Sequence, residues 1–121
     1  MGSPESVTHH LKYKYQLLID GNSSAFSRAY WQLFSNAVIL KQSSPYFQWY
    51  YRALQPYVHF IPLQNDLGDL IEKIDWAITH DEACRAISRE ARAFAHQNLS
   101  RNAIDYYLYL VLREYRKLQI F

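Results

Sequence analysis

The spacing of hydrophobic positions changes several times along the chain, and each change marks an element. "YQLLID" (residues 15–20) is a short apolar run closed by Asp-Gly, which predicts a buried strand running into a turn. From Phe26 the period becomes four. Phe26, Tyr30 and Phe34 recur, with Leu33 on a similar face, so a helix is predicted over residues 27–35, with Ser23 or Ser24 as cap and Asn36 as stop. "AVIL" (residues 37–40) is continuously apolar, the pattern of a central parallel strand buried on both faces. "KQSSP" (41–45) reads as a loop, and "YFQWYYRAL" (46–54) as a short aromatic helix with Pro45 in its first turn. "YVHFIP" (57–62) is β-branched and aromatic, a third strand stopped by proline.

The remainder is helical. Asp66 and Asp69 suit an N-terminal turn, after which Leu67, Leu70, Ile71, Ile74 and Ile78 form one apolar face. Asp81 is placed to cap a helix running to about Asn98, with Ala83, Ile87, Ala91 and Phe94 inward. Ser100 is placed to cap the last helix, striped by Ile104, Leu108, Val111, Leu112 and Tyr115. Strands alternating with helices imply a parallel sheet with right-handed crossovers. The expected fold is α/β: a partial Rossmann-like sheet of about three strands with a C-terminal helical tail, where a complete doubly wound domain has five or six. One domain over residues 12–121 follows a flexible N-terminal segment, 1–11.

Composition narrows the function classes. The chain has 121 residues, half of them hydrophobic, enough for one packed core. A net charge of +2 is too weak to argue for nucleic acid. The single cysteine, Cys84, excludes an internal disulfide and fits a reducing compartment. "MGSPESVTHH" is polar and does not read as a signal peptide, and the longest apolar run, "YYLYLVL", is far short of the roughly 20 residues of a membrane span. His9, His10, His59, His80 and His96 have no ligand spacing with one another, so no metal site is expected.

In open parallel sheets, ligands bind beyond the carboxyl ends of the strands. Here those ends carry "DGNSSAFSR", "KQSSPYF" and "PLQND". Gly21 permits a tight turn, the small side chains of Ser23, Ser24 and Ala25 let backbone amides approach a ligand, and the helix that follows adds its positive end. Arg28 offers a planar fork to phosphate oxygens. A strand–helix turn with a capping serine and a surface arginine accounts for the same residues, and the pattern alone leaves the two readings balanced. Lys41 suits a second phosphate or a sugar hydroxyl, or is a solvated strand end. Ser43 and Ser44 suit a ligand or a helix cap, and Asp66 reads as a cap. Asp20 is the carboxylate at the loop, and fixing the turn explains it equally well. Trp49 lies near enough to this edge for base stacking; Trp31 and Trp76 read as core aromatics. No general base stands out.

Three pieces in this order and spacing carry a resemblance over residues 12–76: "YKYQLLIDG" with its small-residue loop and arginine, "ILKQSSPYFQWYY", and "LQPYVHFIPLQNDLGDL". Together they resemble the C-terminal half of glycosyltransferase family 90, which includes lipopolysaccharide-modifying enzymes, capsule-associated transferases and protein O-glucosyltransferases. The resemblance implies a GT-B architecture of two Rossmann-like domains, of which this chain is half of the C-terminal, donor-binding one. It implies an inverting, metal-independent transferase with a UDP-sugar as donor substrate and no cofactor. Donor diphosphate contacts carried over fall on Gly21, Asn22, Ser23, Ser24, Ala25, Phe26, Ser27 and Arg28; Asp20, Lys41, Gln42 and Ser43 lie on the donor side. Animal members hold the arginine one place closer to the glycine, and bacterial members look closer to this spacing. The catalytic aspartate of the family belongs to the N-terminal domain, so no catalytic residue is assigned here and the fragment alone is expected to be inactive. A bacterial protein is implied, cytoplasmic or peripheral at the inner membrane, whose acceptor is an envelope glycan such as lipopolysaccharide reached through the missing domain. The alternative is a catalytically inert interaction module, self-associating or pairing with a partner chain through an exposed sheet edge. RNA binding by the tyrosine-rich tail is not adopted, because its apolar residues repeat like a packing face.

Overall fold

Three parallel strands form the sheet of the structure, a computed structural model that describes residues 12–21 and 26–118. The segment 1–11, expected to be flexible, lies outside the described residues, as do His9 and His10. The elements are β1 (Tyr15–Leu18), α1 (Phe26–Phe34), β2 (Val38–Gln42), β3 (Ile61–Leu63), α2 (Leu70–Thr79), α3 (Asp81–Asn98) and α4 (Arg101–Leu118). Spatial order follows chain order, β1-β2-β3, with Leu17 opposite Leu40 and Leu40 opposite Ile61. The α/β class and the partial Rossmann-like sheet are those read from the alternation of periods.

β2 lies in the middle, and its apolar run is buried on both faces because each face meets a different layer. On one face Leu18 and Ile39 pack with Ala29 and Leu33 of α1, Ala91, Phe94 and Ala95 of α3, and Tyr50, Tyr51 and Leu54 from the β2–β3 connection. On the other, Val38, Leu40, Ile61 and Leu63 pack with Ala77 of α2 and with Cys84 and Ile87 of α3. Helix α3 therefore contributes to both clusters. Polar ties hold the layers in register. Gln32 Nε2 donates to the Leu17 carbonyl at 3.2 Å, joining α1 to β1. Ser88 Oγ donates to the Asn36 carbonyl at 2.8 Å, joining α3 to the α1–β2 turn. Ser100 caps α4 as expected, its Oγ accepting from the Ala103 N–H at 3.2 Å.

Several expected faces turn by one residue. Among the described residues of α1 the buried positions are Ala29, Gln32 and Leu33, while Tyr30 is 40% exposed, its ring against Phe34 at 5.1 Å and its hydroxyl donating to the Leu99 carbonyl. In α2, Ile71 and Ile78 point outward and Leu70, Ile74 and Ala77 pack. Asp81 begins α3 as its first helical residue, pairs with Lys14 and Arg85, and makes no capping hydrogen bond. Asp66 accepts from the Gly68 N–H within a turn, not at a helix start. The stripe on α4 is the largest correction: no α4 side chain is buried, and Leu108, Val111, Leu112 and Tyr115 are all exposed.

The segment expected as an aromatic helix over 46–54 contains only a short 3-10 turn, Tyr51–Ala53. Adjacent Tyr50 and Tyr51 both enter the core, edge to face at 5.3 Å, and this anchors the segment without a helical ladder. The third strand also starts later than expected, at Ile61. Tyr57 stands in the left-handed region (φ 61°), and residues 55–60 form a turn in which the Tyr57 N–H donates to the Phe60 carbonyl at 2.7 Å.

That turn contains a titratable joint. His59 Nδ1 accepts from the Gln55 backbone N–H at 2.9 Å, so the neutral ring protonated on Nε2 is the bonded form. Its ring packs against Phe94 at 5.2 Å. Burial lowers its pKa from the usual 6.5, against an opposing pull from Glu90. A group depressed in the folded state contributes stability that is present above its unfolded pKa and is lost as pH falls through the folded value. Urea midpoints are accordingly expected to fall between pH 7.5 and pH 5, by less in His59→Asn than in the unaltered protein. Equal pH sensitivity in the two would contradict this.

Candidate functional site

The carboxyl ends of the three strands are joined by a single side chain. Gln42, the last residue of β2, accepts the Asp20 N–H through Oε1 at 3.0 Å. Its Nε2 donates to the Asn65 carbonyl at 2.7 Å and lies 3.3 Å from Asn65 Oδ1. Asp20, just after β1, and Asn65, just after β3, are thus both tied to the end of β2. Ser44 Oγ donates to Asp20 Oδ2 and accepts the Tyr46 N–H at 3.1 Å. Asp20 is thereby tied on both its N–H and its carboxylate, as fixing of the turn requires.

Lys41 is half-buried on the opposite face of β2. Its Nζ lies 4.3 Å from the ring centroid of Tyr51 and 5.8 Å from that of Phe60, and donates to the Gln42 carbonyl at 3.3 Å. The two rings form a shelf that holds the ammonium at the mouth of the strand ends. Desolvation lowers its pKa, and the nearby Asp20 carboxylate opposes the shift. Beneath it, burial, then Tyr50 and Asp20, push the Tyr51 phenol well above its usual range. Burial likewise raises Tyr50, to about 12. Both hydroxyls are buried without a hydrogen-bond partner among the described residues. Tyr51 was not singled out in the sequence, because only the fold brings this loop residue under Lys41. The signal available was its place in "WYYRAL", just after the "KQSSP" loop.

Of the loop residues expected at the diphosphate, Asn22, Ser23, Ser24 and Ala25 lie outside the described residues, and so do the side chains of Phe26 and Ser27. Arg28 is exposed, in the first turn of α1. Gly21 is exposed and has no positive φ, so the turn does not require glycine for its backbone. A Cβ built there meets no atom within 4 Å. Ser43 is exposed and its N–H continues the sheet, donating to the Leu63 carbonyl at 2.9 Å. Trp49 is committed elsewhere: its indole stacks on Tyr107 of α4 at 4.3 Å and 19°, which takes one ring face out of use for base stacking. At this edge the structure joins Asp20, Gln42, Ser44 and Asn65 by hydrogen bonds, with Lys41 over Tyr51 on the flank. It can present a cation and fixed backbone groups to an anion.

Comparison with known proteins shows the family of the chain. Residues 3–121 match glycosyl transferase family 90. The chain is 38% identical over 109 residues to protein O-glucosyltransferase 2 of Danio rerio, covering 90% of this chain and 22% of that protein. It is 38% identical over 108 residues to human protein O-glucosyltransferase 3, covering 89% and 21%. It is also 37% identical over 118 residues to uncharacterized protein 179R of invertebrate iridescent virus 6, covering 92% and 10%. The chain thus spans about a fifth of the length of these vertebrate relatives. On the family match across nearly its whole length, the chain belongs to glycosyltransferase family 90.

Proposed function

We propose that this chain is the nucleotide-sugar-binding part of a glycosyltransferase, with the diphosphate of a UDP-sugar held beside Gly21 and Arg28. The observation that supports this most directly is the Gln42 bridge. It ties Asp20 after β1 and Asn65 after β3 together at the strand ends, where open parallel sheets take ligands, and among the described residues no atom lies within 4 Å of a Cβ built at Gly21. Arg28 and the half-buried Lys41 supply the cations. Their contribution is positioning and charge compensation, so chemistry on the acceptor is left to residues of the parent protein outside this chain. No cofactor enters this reading. An envelope glycan such as lipopolysaccharide is the acceptor expected from the sequence. The names of the vertebrate relatives specify protein O-glucosylation, and a protein hydroxyl is therefore the acceptor to test beside it.

Titration with UDP, followed by backbone amide shifts, tests the donor site. Saturable shifts at Gly21, Arg28 and Lys41 are expected; shifts scattered elsewhere, or none up to millimolar UDP, would sink the reading. Gly21→Ala separates fold from ligand. With no strained φ and no neighbour within 4 Å, it is expected to leave the unfolding midpoint unchanged while weakening UDP severalfold by filling the space above the loop.

The second reading, a self-associating interaction module, is favoured by one observation: α4 is striped with exposed apolar residues. Sedimentation velocity separates the two, since a concentration-dependent dimer that ignores UDP supports the module.

A further inference from the structure

A second cleft opens at the other end of the sheet. Its walls are Lys14, just before β1, Asn36, just before β2, and Arg85, Ser88, Arg89 and Arg92 of α3, over a floor of Val38 and Cys84. Its volume is about 260 Å³. We propose that this cleft binds a small multivalent oxyanion of the phosphate class, independently of the donor site.

Arg85, Arg89 and Arg92 stand at i, i+4 and i+7, so α3 presents them on one face, and like charges at that spacing repel. Lys14 adds a fourth cation. The carboxylate among them is Asp81, already shared by Lys14 and by Arg85 at 2.9 Å. Arg89 has no ion-pair partner among the described residues. Arg92 donates through Nη1 to Asn36 Oδ1, which fixes its guanidinium at the rim, while its Nε is buried with no hydrogen-bond partner among the described residues. Cys84, fully buried, has its pKa raised by that burial, so the floor adds no negative charge. The cleft therefore combines excess positive charge, guanidinium forks suited to oxyanions and an apolar floor. The volume decides the ligand size: it is below the range of pockets for drug-sized molecules, about 300–1,000 Å³, and suits one or two phosphate groups.

The test is a titration with inorganic pyrophosphate at low ionic strength, read by amide shifts. Saturable shifts at Asn36, Ser88 and Arg89 are expected, with affinity falling as salt rises. Arg89 makes no ion pair among the described residues, so Arg89→Ala is expected to keep the fold by circular dichroism while weakening this binding by about tenfold, with partial recovery in Arg89→Lys. Pyrophosphate can also reach the donor loop, so shifts at Gly21 are scored separately and are expected to be unchanged in Arg89→Ala. A phosphate ester and a phosphorylated lipid headgroup present the same chemistry. Glycerol phosphate in solution and vesicles containing phosphatidic acid separate these sources, and binding to either supports the site. Absent shifts at these three amides, shifts that persist fully in Arg89→Ala, or equal affinity for citrate would overturn the assignment.

Discussion

Leu40→Ala is expected to destabilise the protein by about 3 kcal/mol. Leu40 is 0% exposed in the central strand, between Leu17 and Ile61 across the ladder, and its side chain meets Val38, Ile61, Leu63, Ala77, Cys84 and Ile87. The parallel strands on either side and the helices above restrict collapse into the vacated space, so the cost combines lost apolar burial with a residual cavity. A domain of this size has a total stability on the order of 5–15 kcal/mol, so one such truncation removes a large fraction. Urea unfolding at pH 7 measures it as a lower midpoint at unchanged slope. A loss under about 1 kcal/mol would mean that the central strand is not packed on this face.

Gln42→Ala carries the second large effect, and it acts on the site as well as on stability. The substitution removes the acceptor for the Asp20 N–H and the donor to the Asn65 carbonyl in one step. Water reaches both groups, so a cost of about 1–2 kcal/mol is expected, not the full penalty of two buried orphans. The local consequence is larger: the loop after β1 loses its tie to the sheet, the Asp20 amide exchanges faster with deuterium, and UDP binding weakens with it. Gln42→Glu discriminates further. It keeps an acceptor for Asp20 but sets a carboxylate against the Asn65 carbonyl and beside Asp20, so diphosphate binding is expected to fall below that of the alanine variant. Unchanged exchange at Asp20 in Gln42→Ala would show that the bridge does not hold the loop.

The sheet was legible because its signal is a run of consecutive residues. "AVIL" is apolar at every position, and burial on both faces of β2 is what that pattern means. The faces of the helices were read less well. Large residues drew the expected stripe onto Tyr30, Ile71 and Ile78, whereas close approach of helix to sheet selects small ones, and among the described helix residues the ones with no exposure at all are Ala29, Ala77, Cys84 and Ala95. Residues 46–54 misled for a related reason. Their aromatic density suggested a helix, but two neighbouring tyrosines buried together suit a turn pinned into the core. At the site, Gln42 was placed by the sequence at the ligand edge, after the second strand, yet its bridging role depends on where two other segments arrive. Tyr51 was invisible in the same way, since its shelf under Lys41 joins a strand to a loop ten residues later.

The sequential order of the strands has a consequence for how the molecule is made. Partners across each ladder are only about twenty residues apart, so a strand can pair with its predecessor soon after both have been synthesised. The contacts that close the structure reach much further back: Ser88 to Asn36 across 52 residues, and Tyr30 to Leu99 across 69. A nascent chain released before α3 would hold a three-stranded sheet whose two apolar faces both lack the packing that α3 supplies. Such an intermediate is where a chaperone, or a neighbouring ribosome's product, would find its grip.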